Sequence, residues 1–138
     1  MATASQLKEL AELRLKEAQA LFDAGLYDGC VYLCGYVVEL ALKVRVCKAL
    51  NVGDYPEFEI PNAFRTRNFD HLKLLAGLRK EIAGGNPALL ANWSTAIEWK
   101  PEWRYLPAGS SNRAKAEKIL NAVKEAPNGV FTWLQARW

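Results

Sequence analysis

Residues 26–50, LYDGCVYLCGYVVELALKVRVCKAL, limit what this chain can fold into more than any other stretch. Between residues 30 and 46 the run is apolar almost all the way round, and only Glu39, Lys43 and Arg45 carry charge. A helix with no wet face has to be covered by several neighbours. The stretch therefore predicts the central helix of an all-α bundle. The charges interrupt it too often for a membrane span, which takes roughly 20 mostly apolar residues. Tyr32, Tyr36, Glu39 and Lys43 recur at spacings of four, three and four, so they form one polar stripe on this helix. Glu39 precedes Lys43 by one turn, the favourable order for an ion pair. Such a pair on an apolar helix either fixes register as a structural polar pair or forms a pocket wall that offers Lys43 to an anion. Gly35 lies mid-helix, where glycine costs about 1 kcal/mol relative to alanine. Its presence predicts that another backbone crosses closely there.

The remaining pattern gives an up-and-down bundle of four to five helices. Ser5 is placed to cap a first helix that runs to about residue 24, and Gly25 ends it. Residues 54–69, with two prolines and no clear period, read as a long loop that carries Arg65 and Arg67. Asp70 is placed to cap a third helix over residues 71–82, and Gly84-Gly85 ends it. Asn86-Pro87 opens a fourth helix over residues 87–99. Residues 100–112 form a second loop, rich in aromatics. Ser110 or Ser111 caps the last helix, whose apolar phase continues past Pro127. That continuity predicts a last helix kinked at Pro127. No strand period and no repeat is present, so residues 1–138 read as a single helical domain.

The formal net charge of +3 permits an anionic partner without requiring one. Cys30, Cys34 and Cys47 all fall in the central helix, and an odd count with no spaced framework argues against a disulfide-stapled secreted domain. They read as small buried hydrophobes, with no second cluster to complete a metal site. No metal and no cofactor is expected. The first residues show no basic-then-apolar leader pattern, so a cytoplasmic location is the expectation.

Residues 18–43, AQALFDAGLYDGCVYLCGYVVELALK, resemble the opening two helices of a HEPN domain (higher eukaryotes and prokaryotes nucleotide-binding). The resemblance rests on the helix ending in AG, the YDG start of the next helix, and GYVVELALK with its Glu and Lys. Asp70-His71-Leu72 with Leu74-Leu75, and Arg104-Tyr105 before the last long helix, fit the same family in the same order. The resemblance implies a helical bundle that binds a nucleotide or RNA through Lys43, His71, Arg104 and Tyr105. It also implies a homodimer, a nucleotidyltransferase partner, and a role in a toxin–antitoxin or defence system.

Some members of that family are metal-independent ribonucleases marked by an arginine and a histidine with four to six residues between them. Arginine stabilises phosphate charge, and a histidine near neutral pKa can move the proton of a 2′-hydroxyl. Five residues separate Arg65 from His71, the chain's single histidine, so the bare pattern is met. In the nuclease members the motif sits just before the last long helix, a place that here holds Arg104 and no histidine. The first reading is therefore a non-catalytic binding module, with a ribonuclease using Arg65 and His71 as the alternative. Arg104 and Tyr105, near Trp99 and Trp103, either stack a base and hold its phosphate or plug the bundle end with Arg104 paired to Glu39. A third reading is a protein–protein assembly module whose exposed tryptophans pack a partner.

Overall fold

The computed structural model describes residues 2–57 and 61–138. Among them there are eight α-helices: α1 (Ala4–Asp23), α2 (Tyr27–Leu50), α3 (Pro61–Phe64), α4 (Phe69–Leu75), α5 (Arg79–Ala83), α6 (Pro87–Ala96), α7 (Arg113–Lys124) and α8 (Val130–Gln135). A 3₁₀ turn, Pro101–Tyr105, links α6 to α7. The described residues contain no strand, and Thr3 and Asp54 form an isolated bridge.

The all-α bundle is built around α2, as its composition requires. This helix packs against α1, α4, α7, α8 and the 3₁₀ turn. Its buried residues include Val31, Leu42, Glu39, Cys47, Val44, Val37 and Cys30, which lie around most of the helix circumference. Leu42 is joined in the fully enclosed core by Leu72 of α4, Leu78, Leu89 of α6 and Leu134 of α8. Each such side chain contributes about 1.5–3 kcal/mol by leaving water. The three cysteines are buried and free. No helix among the described residues is long and apolar enough to cross a membrane.

Local chemistry moves several boundaries from where sequence spacing put them. Thr3, not Ser5, caps α1: its hydroxyl accepts from the Gln6 amide at 3.1 Å, while the Gln6 side chain accepts from the Thr3 amide at 2.9 Å. The reciprocal pair satisfies two amides that the first turn leaves open. Asn68, not Asp70, caps α4 by accepting from the His71 amide at 3.0 Å. The expected third helix is split into α4 and α5. Gly77, at φ +71°, takes the left-handed conformation that ends a helix at little cost. Asn112 caps α7 by accepting from the Lys115 amide at 2.8 Å, in place of either serine. Asn86 and Pro87 open α6 as read, with Asn86 accepting from the Leu89 amide at 3.1 Å.

The last helix is interrupted more sharply than a kink. Residues 125–129 leave the helix between α7 and α8, and the Ala126–Pro127 bond is cis. Asn128 binds this break to α6: Asn92 donates to its carbonyl at 2.9 Å and Asn86 to its side chain at 2.9 Å. Both α7 and α8 still face α2, which is why the apolar phase survives the break. The loop expected over residues 54–69 contains α3, and its residues 58–60 lie outside the described residues.

Gly35 is occupied by a side chain rather than by a crossing helix. A Cβ there would fall inside the indole of Trp99. The Trp99 ring donates its N–H to the Tyr32 carbonyl at 3.1 Å, which meets the polar need of a buried indole. Gly35→Ala should therefore displace Trp99 despite its better helix propensity. Overpacking and the lost hydrogen bond outweigh a propensity gain of about 1 kcal/mol, for a net loss of about 2 kcal/mol. Urea unfolding followed by tryptophan fluorescence measures that loss directly.

Candidate anion-binding seam

The stripe read on α2 is a polar seam in the folded protein, and its upper part opens to the surface. The Tyr32 and Tyr36 hydroxyls are 2.7 Å apart, and their rings meet edge to face at 5.1 Å. Trp99 packs edge to face on Tyr36 at 5.5 Å, and Phe69 stacks on the other part of Trp99 with an interplanar angle of 5°. These rings form a rigid floor, because each is fixed by a helix backbone or by the buried Trp99.

Two arginines reach this floor from different parts of the chain. Arg67, two residues before Phe69, lies over the Tyr36 ring at 5.7 Å, with its Nη1 in a long 3.5 Å contact to the Tyr36 hydroxyl. Its Nε is 3.4 Å from Oε1 of Glu39. Arg104 comes from the 3₁₀ turn and lies over the Tyr105 ring at 4.7 Å. The Tyr32 and Tyr105 hydroxyls beside it push the Arg104 guanidinium above its ordinary value. Tyr105 itself is 76% exposed, an aromatic face turned to water.

Clefts open on both sides of the 3₁₀ turn. The larger, about 470 Å³, is lined by Arg65, Arg67 and Lys100 over Phe69 and Trp99, with the carboxylates of Asp70 and Glu102 at its edge. The smaller, about 260 Å³, lies between Arg104, Trp103 and Tyr32 on one side and Asp28 on the other. Cationic groups beside aromatic walls suit an anion that also carries a flat ring.

Glu39 is the single buried charged residue among the described ones, at 5% exposure. Its Oε1 accepts no hydrogen bond. Burial raises its carboxyl above the ordinary value, and Lys43 and Arg67 only partly offset that rise. The expected Glu39–Lys43 couple is thus looser than drawn, and its closest cation is Arg67. Lys43 turns its ammonium over the Tyr55 ring at 4.9 Å. Arg104 is not the partner of Glu39, because the 3₁₀ turn carries it outward to Tyr32 and Tyr105.

The structure brings some expected site residues together and separates others. Arg104 and Tyr105 share the 3₁₀ turn. Lys43 stands eleven residues along α2 from Tyr32, about 16 Å at 1.5 Å per residue, beyond both clefts. His71, half-buried in the first turn of α4, lies outside the lining of the cleft that Arg65 lines. The tryptophans offered to a partner are not exposed: Trp93, Trp99 and Trp133 are core residues, and Trp103 and Trp138 are half-buried. Among the described residues no three His, Cys, Asp or Glu side chains gather where a metal could be held.

Arg67, Lys100 and Asp28 were not among the site residues expected from sequence. Arg67 sits in a stretch without period, and only its fold-back onto α2 shows its use. Asp28 is the acid of the YDG start. Its carboxylate accepts from the Gly109 amide at 2.6 Å and the Ser111 amide at 2.8 Å, latching the loop after the 3₁₀ turn to α2. Those two bonds lower its carboxyl below the ordinary 3.8, so the latch holds above that value and is lost as pH falls through the lowered one. Asp28→Ala should speed hydrogen exchange at Gly109 and Ser111 at neutral pH while leaving the α2 amides protected. Amide exchange by mass spectrometry resolves the two regions.

The HEPN domain family model matches residues 4–56. The matched segment covers α1, α2 and the chain up to Pro56, and so includes Asp28, Tyr32, Tyr36, Glu39 and Lys43. Arg65, Arg67, His71 and Arg104 lie beyond it. No curated protein and no solved structure matches the chain. The resemblance to the HEPN domain family thus covers the helical pair α1 and α2, which supplies one wall of the seam.

Proposed function

We propose that the chain is a non-catalytic binding module for a nucleotide or RNA, with the seam between Arg67 and Arg104 as its site. The observation that carries this reading is the pair of arginines at either end of the Tyr32–Tyr36 hydroxyl pair, each opening onto a cleft. Guanidinium groups suit phosphate oxygens, and the exposed Tyr105 ring offers a base a stacking surface worth about 1–3 kcal/mol. The mild overall charge fits a local site better than a broad electrostatic footprint. Lys43 and His71 stay in the proposal as flanking groups reached by a ligand longer than one nucleotide. The homodimer and the nucleotidyltransferase partner, within a toxin–antitoxin or defence system, belong to the same proposal through the family resemblance.

The ribonuclease reading has one observation in its favour: Arg65 lines the larger cleft, beside Arg67 and Lys100. It requires His71 to swing toward that cleft on binding RNA. Purified protein should then cleave RNA in the presence of a chelator, and His71→Ala should abolish cleavage.

The binding reading is checked with a short labelled oligouridylate and with ATP, by fluorescence anisotropy and calorimetry. Arg67→Ala and Arg104→Ala should each weaken binding by about tenfold or more, equivalent to about 1.4 kcal/mol or more. Arg14→Ala, which removes the Arg14–Glu17 surface pair at 2.7 Å on α1, should leave affinity unchanged. The unfolding midpoint of Arg104→Ala should stay near that of the parent, and Arg67→Ala should lower it at neutral pH because Glu39 loses its closest cation. Parent-like binding by both seam variants would remove the site from this face.

A further inference from the structure

Arg67 is poised between two holders, and neither holds it tightly. On one side is the buried Glu39 carboxylate, 3.4 Å from its Nε. On the other is the Tyr36 hydroxyl, 3.5 Å from Nη1. Charge-assisted bonds of arginine are normally about 2.7–2.9 Å, so both contacts are long. The Arg67 side chain is 46% exposed, whereas that of Glu39 is 6% exposed. The guanidinium can therefore move into the larger cleft beside Arg65 and Lys100, and the carboxylate cannot follow it.

We propose that Arg67 exchanges its carboxylate for a phosphate when an anionic ligand enters the larger cleft, and that Glu39 takes up one proton from water as it does so. The proposal rests on the nucleotide-binding reading and adds a regulatory coupling to it. The charge balance is explicit. Arg67 stays cationic throughout and passes from one anion to another, while Glu39 changes from carboxylate to carboxylic acid. An acid with no hydrogen bond to Oε1 tolerates protonation better than it tolerates a buried charge whose nearest cation has left.

The groups facing Glu39 support this exchange. On α2 itself they are Lys43 and Tyr36, and from the segments packed against α2 they are Arg67, Glu57 and Tyr55. Two cations hold the carboxyl down, and Glu57 raises it. Lys43 exerts the larger pull on the carboxyl although its ammonium lies over the Tyr55 ring, Arg67 makes the closer approach at 3.4 Å, and when Arg67 leaves Lys43 is the cation that stays. Burial already lifts Glu39 above its ordinary 4.5, and loss of Arg67 lifts it further. The sign follows from these shifts. At low pH Glu39 is protonated in the free protein, Arg67 is released, and binding is tightest. As pH rises above the free-protein value, each binding event must draw in a proton, and affinity falls by up to about tenfold per pH unit.

The experiment measures affinity for a short oligouridylate, whose phosphodiesters do not titrate here, from the ordinary carboxylate range to neutrality. Calorimetry in buffers of different ionisation enthalpy counts the protons taken up. The parent protein should bind more weakly as pH rises and take up protons at the upper end of the range. Glu39→Gln should still bind, take up no proton and show a flat profile. An infrared carboxylic-acid band should appear when ligand is added to the parent and be absent in Glu39→Gln. A slope that persists in Glu39→Gln, or parent binding with neither slope nor proton uptake, overturns the coupling and leaves the binding site standing. Absence of any oligouridylate binding by the parent overturns both.

Discussion

The Trp99 indole seated on Gly35 is the contact on which the arrangement of this surface depends. Any side chain at position 35 would hold the ring away, and the chain after α6 would pass at a greater distance. Once seated, the indole donates to the Tyr32 carbonyl, meets Tyr36 at its edge and stacks on Phe69. Each contact fixes a different segment. Phe69 carries Arg67 two residues ahead of it, and the turn after Trp99 carries Arg104 five residues beyond it. One buried ring thus brings two arginines, distant in sequence, to the two tyrosines of a single helix stripe.

The same packing explains why α2 tolerates a carboxylate. A buried charge without a partner is costly enough that it usually neutralises or is removed. Glu39 avoids that outcome through two cations, Lys43 a turn away and Arg67 from the segment before α4, neither of which makes a close bond to its Oε1. A carboxylate secured this loosely is a poor source of stability and a good source of responsiveness. Much the same division holds along the seam. Asp28 holds its loop with two short bonds, and Glu39 holds Arg67 with one long one. The frame around the clefts is firm, and the group that faces a ligand is free to change partners.

The HEPN match over residues 4–56 coincides with the part of the protein that supplies the frame. Both the two-tyrosine stripe and Glu39 lie within it. The arginines are contributed by segments outside it, which pack back on α2 through Phe69 and Trp99. A helical pair of this kind can carry different chemistry according to what later segments lay against its polar stripe.

The fold class, the central place of α2 and the shared face of Tyr32, Tyr36, Glu39 and Lys43 could all be read from residue spacing, because helical period and the absence of a wet face are local properties of the chain. Asn86-Pro87 marked a helix start for the same reason. Other features had no local signature. Which polar residue caps a helix depends on where the preceding chain enters, so Thr3, Asn68 and Asn112 took the place of Ser5, Asp70 and the serines. The occupant of Gly35 was an indole from 64 residues away, and nothing near the glycine distinguishes a ring from a crossing helix. The cation nearest Glu39 was decided in the same way. Spacing along α2 points to Lys43, which acts on Glu39 from over the Tyr55 ring, and the stacking of Phe69 on Trp99 adds Arg67 as the closer contact. The helix pattern determined which groups need partners, and only long-range packing of rings decided which partners they received.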